Sequence, residues 1–288
     1  MKIAFVGLGI MGKAMAANLL KNNCDVIVYN RTLAIAKTLE KEGAIIAHNI
    51  KEAVETADLV FSMLSTPDVV KVLFLSDEGA LQYFKKGAIW VDCTTVNPAF
   101  SKEAHQRASD LGIRFLEAPV AGTKPHAENA QLTFFTGGSD VVIDQVEPYL
   151  LMMGQKIIRL GGPGMGSSFK MIVNILLAQS MIIFSEATLL GEKMGLDRDF
   201  LLNILPNLVV SAPFTKVKSE MIRADNYEVQ FPLEWMLKDL NLATTTAQEI
   251  EQPLYMANMA KELYNKANQE GHSRLDFSAI HRYLEHAG

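Results

Sequence analysis

Lys170 and Asn174 are the residues whose placement most requires a chemical explanation. They lie in Gly164–Asn174, which reads G-M-G-S-S-F-K-M-I-V-N, near the start of a long apolar run. The run follows the glycine-rich turn Gly161-Gly162-Pro163-Gly164 and reads as one helix from about Met165 to Gly191. Residues four apart on a helix share a face. Burying an unpaired ammonium is costly, so Lys170 reads as facing a cleft, where it can give and take a proton. Partial desolvation lowers a lysine's pKa towards neutrality and makes both directions feasible. While protonated it also stabilises a developing oxyanion. A lysine snorkelling at a helix start is the structural alternative. Asn174, one turn later, can orient the lysine or a bound molecule.

The reaction that such a proton serves is suggested at the other end of the chain. Gly7-Leu8-Gly9-Ile10-Met11-Gly12 is a G-x-G-x-x-G that follows an apolar strand and opens a helix, the setting in which this pattern binds a dinucleotide. Gly7 permits the tight turn, Gly9 lets backbone approach a pyrophosphate, and Gly12 allows close packing of helix on strand. The helix-start amides and dipole then hold the phosphates. The second strand ends Val28-Tyr29-Asn30-Arg31-Thr32, with no carboxylate where an NAD site usually has one for the ribose 2′-hydroxyl; Asp25 precedes the strand. Arg31 and Thr32 offer a cation and a hydroxyl to a 2′-phosphate, so NADP(H) is expected. A nicotinamide moves a hydride. A carbonyl carbon that receives one becomes an alkoxide and needs a proton from a positioned acid.

Three further stretches lie at strand ends. Met63-Leu64-Ser65-Thr66-Pro67 is placed to pass over the adenosine and ribose, or is a plain turn. Asp92-Cys93-Thr94-Thr95-Val96-Asn97-Pro98 brings two hydroxyls to a strand end, for a ligand or as caps of the next helix. Glu117-Ala118-Pro119-Val120-Ala121-Gly122-Thr123-Lys124-Pro125 is a small-residue loop whose amides can receive a carboxylate, or simply a loop. Lys238-Asp239, in Phe231–Leu240, are neighbours that point about 100° apart on a helix and need not pair. The six histidines and two cysteines, Cys24 and Cys93, show no metal-ligand spacing, and no G-x-S-x-G is present.

The elements that must position these groups fall into two halves. Residues 1–162 alternate apolar strands with helices, and several strands are continuously apolar, as buried parallel strands are. This predicts an α/β, doubly wound dinucleotide-binding domain. After Gly162 strand-like runs stop. Residues 163–288 read as an all-α domain with helices near 196–205, 211–224, 233–249, 254–270 and 277–285, entered by the long helix. Its expected task is to close the cleft, supply catalytic groups and join subunits.

The chain has 288 residues, 49% of them hydrophobic, with 27 basic and 32 acidic side chains and a net charge of −5. This excludes the electrostatic footprint of a nucleic-acid binder or a polybasic membrane surface. The stretch 169–190 is the only span-length apolar run, and its Lys170, Asn174, Gln179, Ser180, Ser185 and Glu186 argue against a lone membrane span. The start enters a strand directly, without a signal-peptide pattern. A reducing, cytoplasmic setting is expected.

Together these motifs resemble the β-hydroxyacid dehydrogenase family, which includes 3-hydroxyisobutyrate dehydrogenase and tartronate semialdehyde reductase. The resemblance covers essentially the whole chain. Gly7–Leu20 looks like the family's cofactor signature, Asp92–Thr95 like its D-x-[ST]-T, Ala118–Gly122 like its A-P-V-S-G substrate loop, and Gly164–Asn174 like its G-x-G-x-x-x-K-x-x-x-N block. Lys238-Asp239 matches its K-D pair. Asn30-Arg31-Thr32, Ala118-Pro119-Val120 followed by Gly122-Thr123-Lys124, and Phe231 look like the glyoxylate and succinic semialdehyde reductases of the family. The resemblance implies a catalytic Lys170. It implies a cofactor site of Gly7 to Gly12, Asn30 to Thr32, Met63 to Ser65, Thr95 and Lys238. It implies a substrate site of Thr95, Ala121, Gly122, Thr123, Lys170, Asn174, Phe231 and Asp239, binding a small carboxylate-bearing aldehyde. A homodimer or homotetramer through the long helix is also implied. Ala121 departs from the family's usual Ser, removing a hydroxyl donor and leaving the substrate open, and Pro125-His126 replaces the usual Gly after that loop. Three rivals stand beside this reading: an NAD-dependent 3-hydroxyisobutyrate-type dehydrogenase, a 6-phosphogluconate dehydrogenase, and a non-catalytic dinucleotide-binding module. Val173, where the second has His, and Lys170, which modules tend to lack, argue against the last two.

Overall fold

A computed structural model describes residues 1–286. The chain divides into two compact units, 1–170 and 171 onward. The first begins β1 (Ile3–Val6), α1 (Ile10–Lys21), β2 (Val26–Tyr29), α2 (Leu33–Lys37), β3 (Ile45–Ile46), α3 (Ile50–Val54), β4 (Leu59–Ser62) and α4 (Pro67–Val70). It continues with β5 (Ile89–Asp92), α5 (Pro98–Asp110), β6 (Arg114–Glu117), β7 (Val120–Ala121), α6 (Lys124–Glu128), β8 (Leu132–Thr136), α7 (Asp140–Met153) and β9 (Gly154–Arg159). Six strands form one parallel sheet in the order β3-β2-β1-β4-β5-β6. The continuous apolar strands are explained by burial of both faces. Ile3, Phe5, Val28, Phe61 and Val91 face a core shared with α1 and α7. Ala4, Val6, Ile27, Val60 and Trp90 face a second core shared with α5.

The strand order reverses between β1 and β4, which opens a crevice at their carboxyl ends. Strands β8 and β9 do not extend this sheet. They join β7 in a separate three-stranded sheet, β7-β8-β9, with β7 antiparallel and β9 parallel to β8. The pattern reading took β7 and α6 for loop, because two-residue and five-residue elements carry no periodic signal. A backbone bridge between Glu117 and Gly137 connects the end of β6 to the residue after β8.

Both units share α8 (Met165–Lys193), roughly 44 Å long at 1.5 Å per residue. By length and composition it is the one described helix able to cross a membrane. In this fold its Lys170, Asn174, Ser185 and Thr188 are all buried, the two hydroxyls bonded to the carbonyls of Met181 and Phe184.

The second unit continues with α9 (Arg198–Ile204), α10 (Thr215–Arg223), α11 (Leu233–Glu249), α12 (Tyr255–Ala267) and α13 (Ile280–His286). Met181, Phe184, Leu202, Ile222, Met236, Tyr264 and Phe277 form its core. A buried ion pair, Lys218–Asp276 at 2.8 Å, lies in this unit with its ammonium over the Phe277 ring. Asp276 also accepts the amides of Gln230 and Phe231 and so fixes the loop before α11. Ile172, Leu176, Ile183 and Leu190 are each more than half exposed and form one stripe along α8.

Candidate active site

The crevice end of the first unit is built around Gly7. Its φ of +94° is left-handed, and a Cβ there would strike the Met63 carbonyl. Gly12 is equally constrained, since a Cβ would strike the Gly7 carbonyl. Gly9 is different: it is exposed, and a Cβ would meet nothing within 4 Å. Gly9 is the N-cap of α1, and no described side chain caps that helix. The first-turn amides of a helix have no intrahelical acceptor. An uncapped helix start beside an open glycine can receive a pyrophosphate, so these residues fit a dinucleotide.

Asn30 holds this turn from below. Its Oδ1 accepts the Leu8 amide at 3.0 Å and its Nδ2 donates to the Thr32 carbonyl at 3.1 Å. Arg31 and Thr32 are exposed beside it, and the Thr32 hydroxyl does not cap α2. Met63, Leu64 and Ser65 are half-buried at the end of β4. The neighbouring threonines divide their roles. Buried Thr94 accepts the Leu64 amide at 3.0 Å and ties the two loops, while Thr95 is half-buried. Neither hydroxyl caps α5; Asn97 does, accepting from Phe100.

Beneath these loops is a polar network that the sequence reading did not single out. Asp92 is buried and accepts the Ser62 hydroxyl at 2.7 Å and the Thr94 amide at 3.1 Å. Ser62 in turn accepts from Trp90 Nε1 at 2.8 Å. Burial pushes the Asp92 carboxyl up to about 6, against these hydrogen bonds and with a smaller push from nearby Glu117.

In the loop after β6, Ala121 pairs with Thr133 and Gly122 has a φ of +124°. The Thr123 amide donates to His126 Nδ1 at 3.2 Å, in a capping box at the start of α6. His126, which departs from the family pattern, thus engages one amide of the loop expected to receive a carboxylate.

Lys170 lies at the end of the first unit, 8% exposed, in the second turn of α8. In the second unit, buried Asn174 donates from Nδ2 to Asp239 Oδ2 at 2.5 Å. Lys238 and Asp239 do pair, Nζ to Oδ1 at 2.9 Å, an ion pair by distance though off-line for a hydrogen bond. The long lysine stem curls back over its own helix, which the 100° separation of adjacent residues does not prevent. Phe231 stacks at a tilt on Phe277, ring centres 5.7 Å apart. Among the described residues no cluster of three or more metal-ligating side chains occurs.

Comparisons with known proteins give the family. The family model described as the NAD binding domain of 6-phosphogluconate dehydrogenase matches residues 2–162. The model described as the NAD-binding of NADP-dependent 3-hydroxyisobutyrate dehydrogenase matches residues 164–284. The chain is 36% identical over 285 residues to glyoxylate/succinic semialdehyde reductase 2 of Arabidopsis thaliana, covering 99% of this chain and 80% of that one. It is 33% identical over 291 residues to an NAD-dependent L-serine dehydrogenase of Pseudomonas aeruginosa, covering 99% and 98%. A solved 3-hydroxyisobutyrate dehydrogenase of Mycobacterium tuberculosis, with L-serine, superposes with a TM-score of 0.88 at 29% identity over 98% of both chains. The chain therefore belongs to the β-hydroxyacid dehydrogenase family, oxidoreductases that act on CH–OH groups with a nicotinamide dinucleotide.

Proposed function

We propose that this enzyme reduces a small aldehyde acid, such as glyoxylate or succinic semialdehyde, to the hydroxy acid with NADPH, and that Lys170 supplies the proton. The observation that carries the reading is Lys170 itself, 8% exposed and in the same compact unit as the glycine turn. Lysine is seldom buried, and this one lies in the block that matches the family's catalytic pattern. The first turn of α1 would hold the pyrophosphate, and Arg31 and Thr32 the 2′-phosphate. Met63, Leu64, Ser65, Thr95 and Lys238 would complete the cofactor's surroundings. Asn30 supports the turn from behind, with both ends of its amide engaged in the fold.

When bound, the nicotinamide supplies the hydride. Lys170 holds the proton at Nζ that neutralises the nascent alkoxide, and accepts it back in oxidation. Asn174, fixed by Asp239, is assigned to orientation, and Phe231 and Asp239 to lining the substrate site. With Ala121 lacking a donor and Thr123 turned onto His126 through both its amide and its hydroxyl, we assign the carboxylate to the Gly122 amide. We place the enzyme in the cytoplasm, as a homodimer or homotetramer joined through the exposed apolar stripe of α8.

Lys170→Ala tests the assignment. NADPH oxidation with glyoxylate or succinic semialdehyde should fall by about 10³-fold or more, in line with loss of a positioned acid that also carries charge. NADPH binding, measured by fluorescence titration, should change less than about threefold, because no cofactor contact is assigned to this residue. Retained turnover in the variant would remove Lys170 from the chemistry.

A further inference from the structure

Glu117, at the end of β6, has no part in the proton transfer or in the grip on the cofactor, yet it is only 2% exposed. Its carboxylate is turned onto the start of α8. Oε1 accepts the Gly166 amide at 2.8 Å, and Oε2 accepts the Ser167 hydroxyl at 2.6 Å and the Ser101 hydroxyl. Its own backbone is fixed by paired hydrogen bonds with Gly137, at 3.1 and 3.0 Å. We propose that Glu117 is a positioning residue for the reaction, clamping the first turn of α8 so that Lys170 is held in its working place.

The surroundings are shaped for this clamp. A Cβ on Gly137 would strike Glu117 Oε1, and one on Gly166 would strike the Phe135 carbonyl. Both glycines therefore let the helix start close down on the ends of β6 and β8. The Phe169 ring meets Phe135 edge-on at 4.9 Å, adding an apolar contact one residue before Lys170. A buried carboxylate at a helix N-terminus interacts favourably with the positive end of the helix dipole and satisfies first-turn donors. Lys170 follows Gly166 by four residues and Ser167 by three, so it stands directly over the clamped turn. A shift of about 1 Å there is enough to spoil a proton transfer. Ser101 extends the tie to α5, so three elements of the first unit meet at one carboxylate.

The proposal rests on Lys170 as proton donor, and its test separates the two claims. Glu117→Gln keeps the size and one acceptor, and Glu117→Ala removes both. In folded Glu117→Gln, kcat should fall by about tenfold or more while the NADPH Kd stays within about twofold. The alkaline limb of the kcat–pH profile should move, and hydrogen exchange should quicken at the first-turn amides of α8. Glu117→Ala should lose more activity, with the Gln variant as its partial rescue. In a Lys170→Ala background, Glu117→Gln should cost nothing further, because it acts through that lysine. An unchanged kcat and pH profile in folded Glu117→Gln would overturn the positioning role. So would a full, additive loss in the Lys170→Ala background, which leaves the lysine assignment standing. Wild-type turnover in Lys170→Ala alone would overturn both.

Discussion

In the proposed NADPH complex Arg31 and Thr32 meet the 2′-phosphate, since Asn30 is committed to the turn that precedes α1. The strand-end reading named all three together, and only side-chain geometry separates the support from the two exposed groups. A charge-assisted hydrogen bond is worth about 1.5–3 kcal/mol. Arg31→Ala should therefore raise the KM for NADPH by about 10- to 100-fold and leave that for NADH nearly unchanged. Steady-state kinetics with both cofactors checks this, and equal losses with both would remove Arg31 from cofactor discrimination. Lys170 was legible because a lysine in an apolar run is conspicuous. The Lys238–Asp239 pair was not, since helical spacing describes where side chains start and not how a long stem curls back. Asp92 and Glu117 escaped for another reason. A buried carboxylate looks like any surface acid until its donors arrive from residues 30 to 50 positions away.

At the scale of elements, β1, the glycine turn and α1 were readable as one unit because Gly7 and Gly12 each answer a specific collision while Gly9 leaves the helix start open. Gly12→Ala should force the helix away from the Gly7 carbonyl and destabilise the first unit by about 1–3 kcal/mol, the usual cost of overpacking. NADPH binding should weaken at the same time, because the amides that meet the pyrophosphate move with the helix. Thermal melting with and without NADPH checks both effects; a variant that melts and binds as wild type would contradict the packing argument. The small sheet was less readable. β8 and β9 were visible as strands, but their partner β7 has only two residues and lies inside a loop-like stretch. The capping of α8 by a distant carboxylate leaves no local sequence mark, unlike the Asn97 and Asp197 caps of α5 and α9.

Across the whole molecule, alternation of strands and helices followed by helices alone was sufficient to give the architecture, because the 2.0 and 3.6 periods and buried parallel strands survive in composition. Two buried groups, one in each unit, give the apo protein opposing responses to acid. Asp92 titrates at about 6 in the fold against 3.8 ordinarily, because burial disfavours its charge. Between those values the folded state binds the extra proton, so this group's contribution to stability grows as pH falls from 6 to about 4. His281 is fully buried, with both ring nitrogens unpartnered among the described residues, and desolvation pushes it down to about 4 from 6.5. There the unfolded state binds the extra proton, and stability is lost as pH falls from 6.5 to about 4. Each contribution amounts to about 3 kcal/mol at 1.36 kcal/mol per unit. His281→Leu should remove the acid loss in the second unit, and Asp92→Asn the acid gain in the first. Calorimetric melts from pH 4 to 7 should show these changes in the slope of stability against pH, and unchanged slopes would contradict the assignments.

The most direct test of the central claim is a panel of initial rates for the wild-type enzyme. Glyoxylate, succinic semialdehyde and other small aldehyde acids are each offered with NADPH and with NADH. The account predicts turnover of at least one aldehyde acid, with kcat/KM higher for NADPH than for NADH. A higher kcat/KM with NADH would contradict the cofactor assignment, and no turnover of any aldehyde acid with either cofactor would contradict the reductase itself.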